Sequence, residues 1–233
     1  MRRYYYEDAR WPWRADSFLR RFLEKKPPRH REHRVEKGRA LDVGMGYGRN
    51  ALWLAEQGYA VEGWESDRRY LREARREARR RRVELTCRQV DFARARFRGP
   101  YEVIVISNVL HQVRRSHALR VLRRARAALA PAGRLFLLVK LTSDRHFRRL
   151  RADPDWERVR GERNTFRSRR RGWMLSALEP GEVRAALRGL RIRHWREATL
   201  RSEWEEPERA CPELAEGVTH RVAEVVAEKS GRE

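Results

Sequence analysis

Apolar and polar positions follow two different periods along this chain. Between residues 39 and 140, apolar runs of strand length alternate with longer stretches in which apolar residues recur every three or four positions. ALDVG, YAVEGWE, VELTCRQVD, YEVIVISNV and RLFLLVKL predict strands, and at least three of these are apolar on both faces. NALWLAEQ, DRRYLREARREARRRR and SHALRVLRRARAALAPAG predict helices; Gly58 ends the first, and a proline with a following glycine ends the last. This alternation predicts a parallel sheet with helices on both sides. Beyond it, 142–175 reads as a basic, loop-rich stretch, followed by a helix in LEPGEVRAALRGL. The strands LRIRHWREATL and VTHRVAEVVAE have no helix between them, which predicts an antiparallel pair.

Upstream, Phe18, Leu19, Phe22 and Leu23 have the spacing of one short amphipathic helix, which Pro27 and Pro28 end. The expected organisation is an aromatic, basic helical lid and linker over 1–37 and a main domain over 38–233, with 142–172 inserted on the substrate side. The helix over 67–82 has an apolar stripe of only Leu71, Ala74 and Ala78, so it belongs on the surface, with Glu73 and Glu77 pairing with arginines one turn away.

Composition narrows the classes. A chain of 233 residues is long enough for one sizeable core without disulfide or metal staples. No apolar run is long enough for a membrane span, and the start of the chain lacks the apolar region of a secretory signal. Two cysteines, Cys87 and Cys211, suit a reducing, cytoplasmic setting and no thiolate metal site. His30 and His33 sit in the linker without a third ligand, so no metal is expected. The net charge of +23 is almost all arginine, since only five of the 56 basic residues are lysine. Such an excess favours polyanions by counterion release, yet an arginine bias spread over the whole chain is equally a matter of composition.

Chemistry concentrates in Leu41–Asn50, LDVGMGYGRN, between a strand and a helix. Gly44, Gly46 and Gly48 permit a tight turn and close approach of backbone to a ligand, and the helix that Asn50 opens offers free N–H groups. The spacing is G-x-G-x-G, with Arg49 where a dinucleotide fingerprint needs its third small residue, and no Gly-Lys-Ser/Thr follows. Asp42 at the strand end would repel a pyrophosphate but could pair with an ammonium group, directly or through water. The ligand read from these residues is a nucleoside that carries an amino acid. Glu65 ends the next strand, where an acid accepts hydrogen bonds from ribose hydroxyls; nearby Asp67 is better placed as a helix N-cap. Asp91, after the third strand, is set to accept from an adenine amino group with Phe92 alongside the ring, or is an ordinary turn aspartate.

DVGMGYGRN, the acid ending the second strand and the Val-Asp after the third resemble the class I S-adenosylmethionine-dependent methyltransferases. Within them, GRNALWLAEQGY is most similar to the tellurite-resistance-type enzymes and their bacterial relatives, as are the closing helix and late hairpin. Met45 stands where many relatives have cysteine, and Glu65 where aspartate is common. The resemblance implies an α/β, three-layer Rossmann-like fold with a mostly parallel seven-stranded sheet and a terminal antiparallel hairpin. It implies S-adenosylmethionine across the ends of the first two strands, leaving as S-adenosylhomocysteine. Gly44, Gly46 and Gly48 would then pass beneath its methionine moiety, Glu65 would hold the ribose and Asp91 the adenine, and Ser107 and Asn108 would lie near the sulfonium.

The expected activity is in-line methyl transfer to a small-molecule acceptor, anionic if the basic insertion clamps it. His111, just past the fourth strand, is the candidate base, with a capping or packing role as the alternative. Tyr5 and Trp11 from the aromatic segment, with Arg145 and His146 from the insertion, are the candidate substrate contacts; both segments could equally be plain covering structure. An RNA or protein acceptor is the second reading, although no Asn-Pro-Pro-Tyr-like tetrad and no Pro-Cys pair follows strand four. A non-catalytic polyanion binder on the same fold is the third.

Overall fold

The computed structural model describes residues 3–4, 15–23, 38–202 and 219–231. The candidate contacts Tyr5 and Trp11, the linker histidines His30 and His33, and Cys211 lie outside the described residues.

The strands are β1 (Arg3–Tyr4), β2 (Arg39–Val43), β3 (Ala60–Glu65), β4 (Leu85–Gln89), β5 (Tyr101–Ser107), β6 (Leu129–Lys140), β7 (Trp156–Arg158), β8 (Thr165–Ser168), β9 (Met174–Ser176), β10 (Leu190–Ser202) and β11 (Thr219–Lys229). The helices are α1 (Ser17–Leu23), α2 (Arg49–Glu56), α3 (Arg68–Arg81), α4 (Arg115–Ala127), α5 (Arg145–Arg149) and α6 (Pro180–Ala186), with a 3-10 turn over Leu110–Gln112. The main sheet runs β1-β10-β11-β6-β5-β2-β3-β4. Its last seven strands are the expected mostly parallel sheet, with β10 and β11 as the antiparallel hairpin. The two-residue β1 adds an eighth, parallel to β10.

The apolar runs become strands because helices cover both sheet faces. Leu41, Val43, Ile104, Ile106, Leu135 and Leu137 pack toward α4 and α6. Their alternating neighbours Ala40, Val103, Val105, Phe136 and Leu138 pack toward α1, α2 and α3. Each fully buried aliphatic or aromatic side chain contributes about 1.5–3 kcal/mol, which sets the strand register firmly. The sparse stripe of α3 is buried at Leu71, Ala74 and Ala78. Asp67 caps α3 by accepting from Arg69 N–H at 2.8 Å, while Glu77 pairs with Arg80 and Arg81, and Glu73 with Arg76.

Two stretches differ from the pattern reading. β6 begins at Leu129, before Pro131, because an irregularity opposite Tyr101 and Val103 absorbs the proline and the left-handed Ala132. The loop-rich 142–175 contains α5 and a small antiparallel sheet, β7-β8-β9. Its strands of three or four residues are too short to leave a legible alternation. Phe147, Leu150, Phe166 and Ala177 give this stretch its own small core. Among the described residues, no helix is long and apolar enough to cross a membrane.

Candidate active site

The turn after β2 is shaped by left-handed backbone. Gly44 (φ 66°) and Gly46 (φ 56°) occupy conformations that cost side-chain-bearing residues strain. Their surroundings differ sharply. A Cβ on Gly44 would fall 2.4 Å from Val109 Cγ2, whereas a Cβ on Gly46 would meet nothing within 4 Å. Gly44 is therefore fixed by packing, while Gly46 borders open space. Gly48 follows as the N-cap of α2, again left-handed and without a side-chain cap. Asp42 takes over that duty, its Oδ2 accepting from Ala51 N–H at 3.0 Å. Glu65 bounds the turn from the next strand: Oε2 accepts from Gly46 N–H at 2.9 Å, and Oε1 from Ser66 and Asp67 N–H.

Strand parity gathers more than the turn. Glu65, Asp42, Ser107, Lys140 and His220 come from five adjacent strands, β3, β2, β5, β6 and β11. Each follows, two residues on or back, a residue buried toward α1–α3, such as Val105, Leu138 or Val222, or stands level with one, so all five share that face. Asp42 lies level with Gly63 and Val105, Ser107 with Leu138, and Lys140 with Val222. The row is thus lowest at Asp42 and climbs on either side, forming a polar hollow at the C-terminal ends of the parallel strands, where ligands bind in open α/β sheets.

Asp16, absent from the sequence reading, closes the hollow. It is 1% exposed and immediately precedes α1. Asn50 Nδ2 and Ser107 Oγ donate to its Oδ2 at 2.9 and 2.6 Å, and Arg49 Nη1 lies 2.6 Å from its Oδ1. Burial raises Asp42 to about 7; Arg49 opposes the shift, and the carboxylates of Asp16 and Glu65 reinforce it.

The remaining candidates are dispersed. Asp91 follows β4, is exposed and accepts from Ala93 N–H at 3.0 Å in a turn. Phe92 is buried in the core cluster that contains Val43 and Trp64. Asn108 is left-handed and donates its N–H to Leu138 O at 2.9 Å. His111, in the 3-10 turn, is half-buried, and burial holds its imidazole well below the ordinary range, aided by Lys140 and His220. Arg145 and His146 open α5, and Arg145 is exposed. Lys140, Asp144 and His220, also missed, come together beside His111: Lys140 Nζ is 3.4 Å from His220 Nε2, and His220 Nδ1 is 3.5 Å from Asp144 Oδ2. Among the described residues, no group of three or more His, Cys, Asp or Glu could hold a metal ion.

The hollow suits an adenosyl ligand with a cationic amino-acid end: side-chain-free backbone faces open space at Gly46, a strand-end acid adjoins it, and carboxylates line the floor. The family profile for a methyltransferase domain matches residues 40–133. No curated protein matches the chain. Among solved structures, an S-adenosylmethionine-dependent methyltransferase from Methanosarcina mazei superposes with a TM-score of 0.68 at 18% identity, over 94% of this chain and 100% of that one. TehB from Haemophilus influenzae gives 0.62 at 14% identity over 82% of this chain, which spans 57% of that longer protein. Magnesium protoporphyrin IX methyltransferase from Synechocystis PCC 6803, with bound S-adenosylhomocysteine, gives 0.55 at 17%, covering 82% and 74%. Residues 40–133 thus match the methyltransferase-domain family, and the fold built around them is that of the S-adenosylmethionine-dependent methyltransferases.

Proposed function

We propose that the chain methylates a small, anionic acceptor. The observation that carries this reading is the hollow itself, with open space above Gly46 and polar side chains from five strands around it. S-Adenosylmethionine supplies, when bound, a methyl group already activated on a positive sulfur. What the chain adds is orientation and exclusion of water. Gly44, Gly46 and Gly48 offer backbone to the methionine moiety, Asp42 a carboxylate for its ammonium, Glu65 an acceptor for the ribose, and Asp91 one for the adenine. Ser107 and Asn108 border the place where the methyl is handed over.

The acceptor's charge is read from the wall beyond the 3-10 turn. A cavity of about 480 Å³ there is lined by Arg114, Arg158, Arg160 and Arg167, with Glu157 its single carboxylate. None of these four arginines has an ion-pair partner among the described residues, which suits a carboxylate or phosphate. The protoporphyrin enzyme, which its name ties to magnesium protoporphyrin IX, is consistent with a non-polymeric acceptor. A second basic cleft, lined by Arg94, Arg96, Arg124 and Lys229, lies at the opposite end of the strands. Arg124 and Lys229 there already donate to backbone carbonyls, so it offers a polymer little purchase near the chemistry.

The test is transfer of label from methyl-labelled cofactor to a panel of small carboxylates, phenols, amines and thiols, with total RNA and protein in parallel. Label in a small anionic product supports the reading; label confined to RNA or protein contradicts it.

A further inference from the structure

Beyond Ser107 the row ends in groups that cofactor binding does not use. Lys140 is the last residue of β6, His220 the second of β11, Asp144 the N-cap of α5, and His111 projects from the turn after β5. Three stretches distant in sequence, those of His111, residues 140–144 and His220, therefore deliver four ionisable side chains to the end of the sheet where methyl transfer is proposed. We propose that His111, Lys140 and His220, backed by Asp144, form a station that takes the proton from an acidic hydroxyl acceptor and holds the resulting oxyanion for methylation on oxygen, an inference that rests on the methyltransferase reading above.

The division of labour follows from surroundings. Asp144 is 1% exposed, and its carboxylate accepts from the backbone N–H groups of Phe147 and Arg221. Facing His220 Nδ1, it orients that ring and stays out of the hollow. His220 in turn presents Nε2 to Lys140. Burial and Lys140 depress His220 against the pull of Asp144, and burial, Lys140 and His220 depress His111. Both rings are thus neutral near pH 7 and able to accept a proton, while Lys140 supplies the local positive charge that favours an oxyanion. Arg221, next along β11, turns its guanidinium to Glu197 at 3.5 Å.

The choice of residue points the same way. In a chain whose basic positions are nearly all arginine, Lys140 is one of five lysines and the only one on this row. An ammonium is a compact point charge, and its Nζ here lies 3.4 Å from His220 Nε2. Capping α5 and tying down Arg221 explain Asp144 alone; they need neither Lys140 nor His111.

The step balances. The acceptor O–H gives its proton to the His111 imidazole, and the oxygen lone pair forms the bond to the methyl carbon. The carbon–sulfur bond breaks with its pair going to sulfur, leaving a neutral thioether, and the imidazolium returns its proton to solvent.

The probe is 4-nitrophenol, whose phenolate absorbs visibly, added to the full chain with S-adenosylhomocysteine at a pH below that of the free phenol's ionisation. Wild type is expected to bind it as phenolate. Lys140→Met and His111→Gln should each cut the bound phenolate fraction by about tenfold or more, and Lys140→Arg should retain most of it. Melting curves check that each variant folds, and the two independent losses guard against one that does not. Binding of the probe as neutral phenol, no binding, or a phenolate band unchanged in Lys140→Met overturns the station. Calorimetry with S-adenosylhomocysteine on the same samples separates the two readings: heat without phenolate sinks the station alone, and no heat sinks both.

Discussion

Asp16 and Asn50 grip each other twice: Asp16 N–H donates to Asn50 Oδ1 at 2.9 Å, and Asn50 Nδ2 donates to Asp16 Oδ2 at 2.9 Å. The segment before α1 is thereby latched to the first turn of the helix behind the glycine turn. Asp16→Ala strips a buried carboxylate from Arg49 and Ser107 as well, and should cost about 3 kcal/mol. Urea denaturation would measure it; a loss within about 0.5 kcal/mol, the range of ordinary surface substitutions, would show that the latch carries no stability.

Glu65 and Asp67 sit two residues apart and should differ in their effect on affinity. Glu65→Ala is expected to weaken S-adenosylhomocysteine binding by roughly 10- to 100-fold, as loss of charge-assisted hydrogen bonds does, and to cost about 1 kcal/mol of stability as Gly46, Ser66 and Asp67 N–H lose their acceptor. Asp67→Ala removes the α3 cap, costing about 1 kcal/mol of stability with affinity unchanged. Titration calorimetry and melting curves on both variants check the assignment; affinity lost in Asp67→Ala and kept in Glu65→Ala would move the ribose role to Asp67.

Asp42 predicts a pH dependence with a definite sign. Its value in the folded chain, about 7, exceeds the 3.8 of an ordinary aspartate because burial penalises the charge. Between these values the folded state holds a proton that the unfolded chain has released. Stability should therefore be highest below about pH 4 as far as this group is concerned, and fall as pH rises through 7, by on the order of a few kcal/mol. An ammonium-bearing ligand reverses the preference by favouring the carboxylate, so cofactor affinity should rise between pH 5 and 8 with release of a proton. Asp42→Asn should flatten both curves. Calorimetry in buffers of different ionisation heat reads the proton directly, and no pH-dependent proton release would contradict the pairing.

The glycines separate fold from function. Gly44→Ala forces a Cβ against Val109 and should destabilise the chain severely. Gly46→Ala meets no atom within 4 Å and costs only left-handed strain, about 1–2 kcal/mol, yet fills the space assigned to the cofactor. A folded Gly46→Ala protein that binds S-adenosylhomocysteine as well as wild type would show that the turn does not face the ligand.

Much of this architecture was legible because periodicity reports burial. Leu41 and Val43, or Ile104 and Ile106, sit between residues buried on the other face, and such runs announce central strands. The cap at Asp67 and the thin stripe of α3 were legible for the same local reasons. What stayed hidden was assembled at long range. Asp16 reaches Asn50 and Ser107 across 34 and 91 positions with no periodic signal to mark it. Lys140 and His220 meet across 80 positions because β11 returns antiparallel to β6, a register that no single segment encodes.

The decisive experiment is titration calorimetry of cofactor-stripped protein with S-adenosylmethionine and S-adenosylhomocysteine. Heat is expected with both ligands, close to one site per chain, with a marked loss of affinity in Glu65→Ala. No heat with either ligand on folded protein would mean that the glycine turn holds no adenosyl sulfonium.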